Sequence, residues 1–140
     1  MREPTELTPA FESTDYCVEH RDETITLKLY QRTPQPLADW IAHYNGDTPA
    51  WLITAYNPGG EAVDAADNRA RQYLLDALLD RHGLHCLPAV NRDTGGQWPN
   101  EPGWLVAGLE EGMARNLARR FGQAAVVSVS RETSSLIWTG

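Results

Sequence analysis

The stretch Trp51-Leu52-Ile53-Thr54-Ala55-Tyr56-Asn57-Pro58-Gly59-Gly60 constrains this chain more than any other. Ala50–Tyr56 is nearly all apolar, as a central strand covered on both faces requires. Asn57-Pro58-Gly59-Gly60 must then turn the chain. A helix follows from about Asp64 to His82, with Asp64 and Asp67 at its positive end and Arg81 at its negative end. Its apolar stripe is read as Ala66, Ala70, Tyr73, Leu74, Ala77 and Leu78.

The remaining elements fall around this pair. Thr24–Tyr30 alternates, with Ile25, Leu27 and Leu29 on one side, and reads as a half-buried strand. Pro34 and Pro36 break it. Leu37–Tyr44 has apolar residues at 37, 40, 41 and 44, a short amphipathic helix. Beyond the long helix come a strand at His85–Val90, a loop at 91–103 and a strand at Trp104–Leu109. A helix at Glu110–Phe121 and strands at Ala124–Val129 and Ser135–Thr139 complete the chain. A structureless stretch as long as 91–103 is usually functional or disordered.

From Trp51 the order is β-α-β-β-α-β, a ferredoxin-like arrangement. The expected fold is α+β: a mostly antiparallel sheet with that core, an extra N-terminal strand and short helix, and an extra C-terminal strand. Crossover handedness puts both long helices on one face. Residues 1–23 hold seven acids and two bases, with Pro4 and Pro9 and little apolar periodicity, so they are expected to form an acidic, flexible segment. Residues 24–140 are expected to form a single domain.

Tracing strand direction brings four separated segments to one end of the sheet: 57–60, 68–71, 91–103 and 122–123. Most non-core polar residues lie there. Asn57, Asn68, Arg69, Arg92, Trp98 and Gln123 are the candidate ligand-binding residues and Glu101 the candidate catalytic one. A helix start beside Arg69, Arg71 and Arg92 suits an anionic group. Trp98 either stacks on a planar ligand or anchors the loop. Glu101 is either a general base or the partner of Arg69 or Arg92. Asn57 either faces a ligand or caps its own turn, and Gln123 bonds to a ligand or to loop backbone.

Ile53-Thr54-Ala55-Tyr56-Asn57-Pro58, Asn68-Arg69, Trp98 with Glu101, and Gly122-Gln123 together resemble a bacterial family catalogued as domain of unknown function 3293. The similarity runs from about Tyr30 to Val129. The resemblance implies no activity, but it groups the residues at this end of the sheet as a unit.

Composition narrows the function classes. The net charge of −7 is concentrated in residues 1–23, which leaves no basic face for nucleic acid to displace counterions from. No run of about 18 apolar residues suggests a membrane span, and the acidic N-terminus is unlike a secretory signal. Cys17 and Cys86 are read as free thiols in a reducing cytoplasm. His82, His85 and Cys86 lie close in sequence, but Gly83 intervenes and no second cysteine pair has ligand spacing, so neither metal nor cofactor is assigned. Two functions remain. One is binding of a small anionic or nucleotide-like ligand at the end of the sheet, with or without catalysis. The other is a protein-interaction or regulatory module, in which the 91–103 loop and the acidic N-terminus contact a partner.

Overall fold

The computed structural model describes residues 4–57, 62–96 and 99–140. In chain order the elements are α1 (Pro4–Glu12), β1 (Thr14–His20), β2 (Glu23–Leu27), α2 (Gln35–Asn45), β3 (Ala50–Ile53), α3 (Ala65–Arg81), β4 (His85–Asp93), β5 (Glu101–Ala107), α4 (Glu111–Arg120), β6 (Ala125–Val129) and β7 (Ser134–Trp138). The strands form one antiparallel sheet in the order β2-β1-β4-β5-β3-β6-β7. The fold is therefore α+β with an antiparallel sheet.

β3 lies between β5 and β6, and all four of its residues are buried. Because side chains alternate along a strand, Ala50 and Leu52 enter one hydrophobic cluster while Trp51 and Ile53 enter another. The Trp51 face is covered by α3 and α4 through Leu75, Leu79, Ala114, Ala118 and Phe121. The Leu52 face is covered by α2 through Leu37, Trp40 and Ile41, with Phe11 of α1 packed beside it. Buried on both faces, β3 has no room for polar residues, which explains its apolar run. The Trp51 indole N–H, 3.0 Å from the Leu109 carbonyl, has its own partner in this core.

The sheet is curled, and a strap of chain ties its two edges together. Residues 28–33, which follow the edge strand β2, bond to the turn and start of β7 at the opposite edge. Tyr30 N donates to Ser134 O at 2.9 Å and Thr33 N to Glu132 O at 3.0 Å. Ser134 Oγ donates to Lys28 O at 3.0 Å and Thr33 Oγ1 to Ser130 O at 2.8 Å. Arg32 and Thr133 form an isolated bridge. The Leu52 face is thereby concave, and Ser134 is buried at the seam.

Three expectations are corrected. The N-terminal segment, read as flexible, carries α1 and the inner strand β1, which pairs with both β2 and β4. Its apolar content is sparse but well placed: Tyr16 and Val18 alternate into the concave core. The loop read at 91–103 is strand at both ends, because β4 runs on to Asp93 and β5 begins at Glu101. Asn91 and Asp93 are poor strand formers, yet Asn91 is held between Tyr16 and Glu101 and Asp93 is held by Thr14, and such pairing overrides propensity. Finally, the stripe read on α3 faces outward. Tyr73 and Leu74 are exposed, and the buried side carries Asn68, Leu75 and Leu79. Alanines at helical spacing mark a face only weakly, and a buried asparagine hid the true one.

Gly103 marks the closest approach of β5 to the end of β3. A Cβ there would lie 2.5 Å from the Ile53 carbonyl oxygen, which is backbone and cannot move aside alone. Gly103→Ala should therefore lower unfolding stability by about 2–3 kcal/mol, read as an earlier urea midpoint at unchanged slope.

Candidate functional site

Strand register builds the site. On the concave face, Tyr16 of β1 pairs with Asn91 of β4, and Asn91 pairs with Glu101 of β5. These three residues form one rung across three strands. The next rung outward is Thr14 with Asp93. The rungs inward are apolar, with Val18, Ala89 and Leu105. The same face thus passes from a hydrocarbon floor to a polar end within a few residues, because the two-residue period keeps both sets on one side.

Asn57 fixes that polar end. It is buried, with a left-handed φ of 49°, a conformation that asparagine tolerates better than other side chains bearing a Cβ. Its backbone N–H donates to Asn68 Oδ1 at 2.8 Å. Its Oδ1 accepts from Asn68 Nδ2 at 2.9 Å and from Val63 N at 3.2 Å. Its Nδ2 donates to Glu101 Oε2 at 2.7 Å, a short, charge-assisted bond. Nearby, Gln123 Nε2 donates to the Tyr56 carbonyl at 2.9 Å, and Thr54 Oγ1 bridges Pro102 O and Tyr56 N. The end of β3, the start of α3, the start of β5 and the residues after α4 are joined in one network.

Between this network and α1 lies a cavity of about 390 Å³. Leu52, Val127 and Ala125 line its floor, Leu7, Ala10 and Phe11 of α1 its outer wall, and Tyr16, Asn57, Asn91, Asp93, Glu101 and Gln123 its polar end. Phe11 is held by an edge-on contact with Trp138, ring centroids 5.8 Å apart. Burial pushes the Tyr16 phenol well above the usual tyrosine range. Thr14 opposes that shift, and the charge of Glu101 adds to it. Tyr16 therefore stays neutral, and its hydroxyl contacts the Phe11 carbonyl at 3.4 Å.

The structure brings Asn57, Asn68, Glu101 and Gln123 together. Arg69 and Arg92 are exposed, and neither lines the cavity. Glu101 accepts a hydrogen bond from Asn57. Trp98, like 58–60, lies outside the described residues. Among the described residues, no cluster of histidine, cysteine and carboxylate side chains is arranged to hold a metal ion. Sequence reasoning did not include Tyr16, and it held Asn91 and Asp93 only as part of the 91–103 segment. The signal for the last two was present, since the alternation of Leu87 and Ala89 continues through positions 91 and 93.

An antiparallel α+β domain with a cavity on the concave face of a curled sheet is thus the class of protein defined by fold and site. Residues 53–126 match a family model described as protein of unknown function (DUF3293), and the chain belongs to that family. The matched region contains Asn57, Asn68, Glu101 and Gln123, whereas α1 and β1 lie outside it. No curated protein and no solved structure matches the chain.

Replacing Asn57 separates its two roles. Asn57→Ala leaves buried polar partners unsatisfied and should cost about 3 kcal/mol. Asn57→Gly loses the same bonds but relieves the left-handed backbone, so it should be less damaging by about 1 kcal/mol. Chemical denaturation of both variants tests this order.

Proposed function

We propose that this protein is a small-molecule-binding domain whose ligand sits in the concave cavity, with its apolar part over Leu52 and Val127 and its polar group at Glu101. The cavity itself carries the reading. Its volume of about 390 Å³ falls in the range of ligand sites, roughly 300–1,000 Å³, and its apolar floor and convergent polar groups are the usual composition of one. Asn57 holds Glu101 in place before any ligand arrives, which reduces the ordering cost of binding. The expectation of an anionic or nucleotide-like ligand rested on a helix start with Arg69, Arg71 and Arg92, none of which lines this cavity. The free thiols Cys17 and Cys86 fit a reducing, cytoplasmic setting. We also read β3 to β6 with α3 and α4 as a ferredoxin-like core, a reading supported by the order β4-β5-β3-β6.

A second reading, a protein-interaction module, is favoured by the outer face of α3, where Tyr73 and Leu74 are 74% and 57% exposed. The segments first expected to meet a partner, the N-terminus and 91–103, also contribute residues to β1, β4 and β5.

A metabolite library screened by thermal shift separates these readings. A true cavity ligand at a hundred-fold excess over its Kd stabilises the fold by about 2.7 kcal/mol. Ala125→Leu, which fills part of the cavity from its floor, should abolish that gain without unfolding the protein. Stabilisation that persists in Ala125→Leu places the ligand elsewhere. Under the second reading, Tyr73→Asp with Leu74→Asp removes partner capture and leaves ligand stabilisation intact.

A further inference from the structure

On the other face of the sheet, the layer formed by α3 and α4 is not closed. α4 is seated through Ala114 and Ala118, small side chains that bring it close to the strands, and α3 through Leu75 and Leu79. Larger apolar residues therefore fall on the flanks of the two helices. Leu78 of α3 and Met113 and Leu117 of α4 line a trough of about 280 Å³. Its polar lining is His82, at the end of α3, with Asn116 and Arg120 of α4. Residues 113, 116, 117 and 120 recur at helical spacing, so one flank of α4 passes from apolar to cationic within two turns. Met113 is 53% exposed, and its unbranched thioether adapts readily to an occupant.

The polar groups of this trough are donors awaiting a partner. Among the described residues, the Arg120 guanidinium makes no hydrogen bond or ion pair. Asn116 Oδ1 accepts from Arg119 Nη1 at 2.8 Å, which orients the amide and leaves Nδ2 to donate. The lining contains no acid. Of the acids on the same helices, Glu111 approaches Arg115 at 4.0 Å, and Asp76 accepts from Trp104 and Gln72 at 2.6 and 3.2 Å.

We infer that the trough is a second ligand site and takes a small amphipathic anion, its carboxylate bonded to Arg120 and Asn116 and its alkyl chain laid over Leu78, Met113 and Leu117. The planar fork of an arginine matches a carboxylate. An organic cation would meet Arg120 and no counter-charge. A neutral alcohol would use the apolar strip and leave the guanidinium without its charge partner. The volume lies just under the usual range of ligand sites, roughly 300–1,000 Å³, so the chain is short. This trough shares no residue with the concave cavity, and either site can fail without the other.

Three near-isosteric probes test it on the full chain: hexanoate, 1-hexanol and hexylamine, titrated while 13C-labelled methionine methyls are followed by NMR. The chain has two methionines, Met1 and Met113, so the Met113 signal reports the trough. Hexanoate should shift it saturably and bind about three- to five-fold more tightly than 1-hexanol, as an exposed ion pair allows, with hexylamine weakest. Arg120→Gln breaks no bond within the fold. It should bring hexanoate down to the level of 1-hexanol and leave 1-hexanol unchanged. Arg81→Gln, which removes an exposed charge outside the lining, should leave the preference intact. An equal loss in both variants reports general attraction to surface charge and overturns the inference. So does hexanoate binding no tighter than the alcohol. Binding abolished by Ala125→Leu puts the probe in the concave cavity and overturns it as well. If none of the three moves the Met113 signal, the inference fails and the trough is left to the protein partner of the second reading.

Discussion

The side-chain amide of Asn57 is the contact on which the rest of the site depends. Four hydrogen bonds leave this residue, reaching the start of α3, the segment before it and the first residue of β5. None of these groups could be buried alone without a substantial penalty. Each is tolerated because the others are present, and a connected polar network of this kind fixes one geometry where an apolar contact would accept several. The left-handed backbone at position 57 is the local strain that the network offsets. Glu101 owes its placement to this arrangement, since its carboxylate, at the start of β5, is gripped from just beyond the end of the neighbouring strand β3.

Curvature gives that network a cavity to border. An antiparallel sheet of seven strands left open would present β2 and β7 as free edges. Here the chain after β2 crosses to the start of β7 and closes the rim with backbone and hydroxyl bonds. One face becomes the inside of a bowl. Its floor is filled by α2 and the first hydrophobic cluster, and its far end is left to the polar rungs and covered by α1. The opposite face is packed conventionally by α3 and α4. The division of labour follows from alternation along β3, where successive residues serve the two faces in turn.

Much of this was legible in the sequence. The apolar run at 50–56, the capped helix starting at Asp64 and the glycine stop at Gly83 each report local physics, and the structure places the elements within a few residues of where they were read. Direction of travel alone brought Asn57, Asn68, Glu101 and Gln123 to one end. What could not be read was set by partners distant in sequence. Thr14 and Asp15 look like part of an acidic tail until Asp93 and Arg92 stand opposite them. Asn91 and Asp93 look like loop until β1 pairs with both of them and β5 with Asn91. The inward face of α3 includes Asn68, whose burial makes sense only once Asn57 is beside it. Arg69 follows from the same rotation: one position along the helix from a buried residue, it points to solvent.

The strap between the sheet edges has a consequence for how the molecule is made. Its bonds join residues 97 to 106 positions apart, so they are among the last contacts available as the chain leaves the ribosome. Until β6 and β7 emerge, the nascent sheet has an open, apolar concave surface and β3 is paired on its β5 side alone, the kind of exposed intermediate that recruits chaperones or aggregates. Loop closure over such spans slows folding, so the rate-limiting event in this protein should be the meeting of its two distant edges, with the cavity as the last part of the molecule to exist.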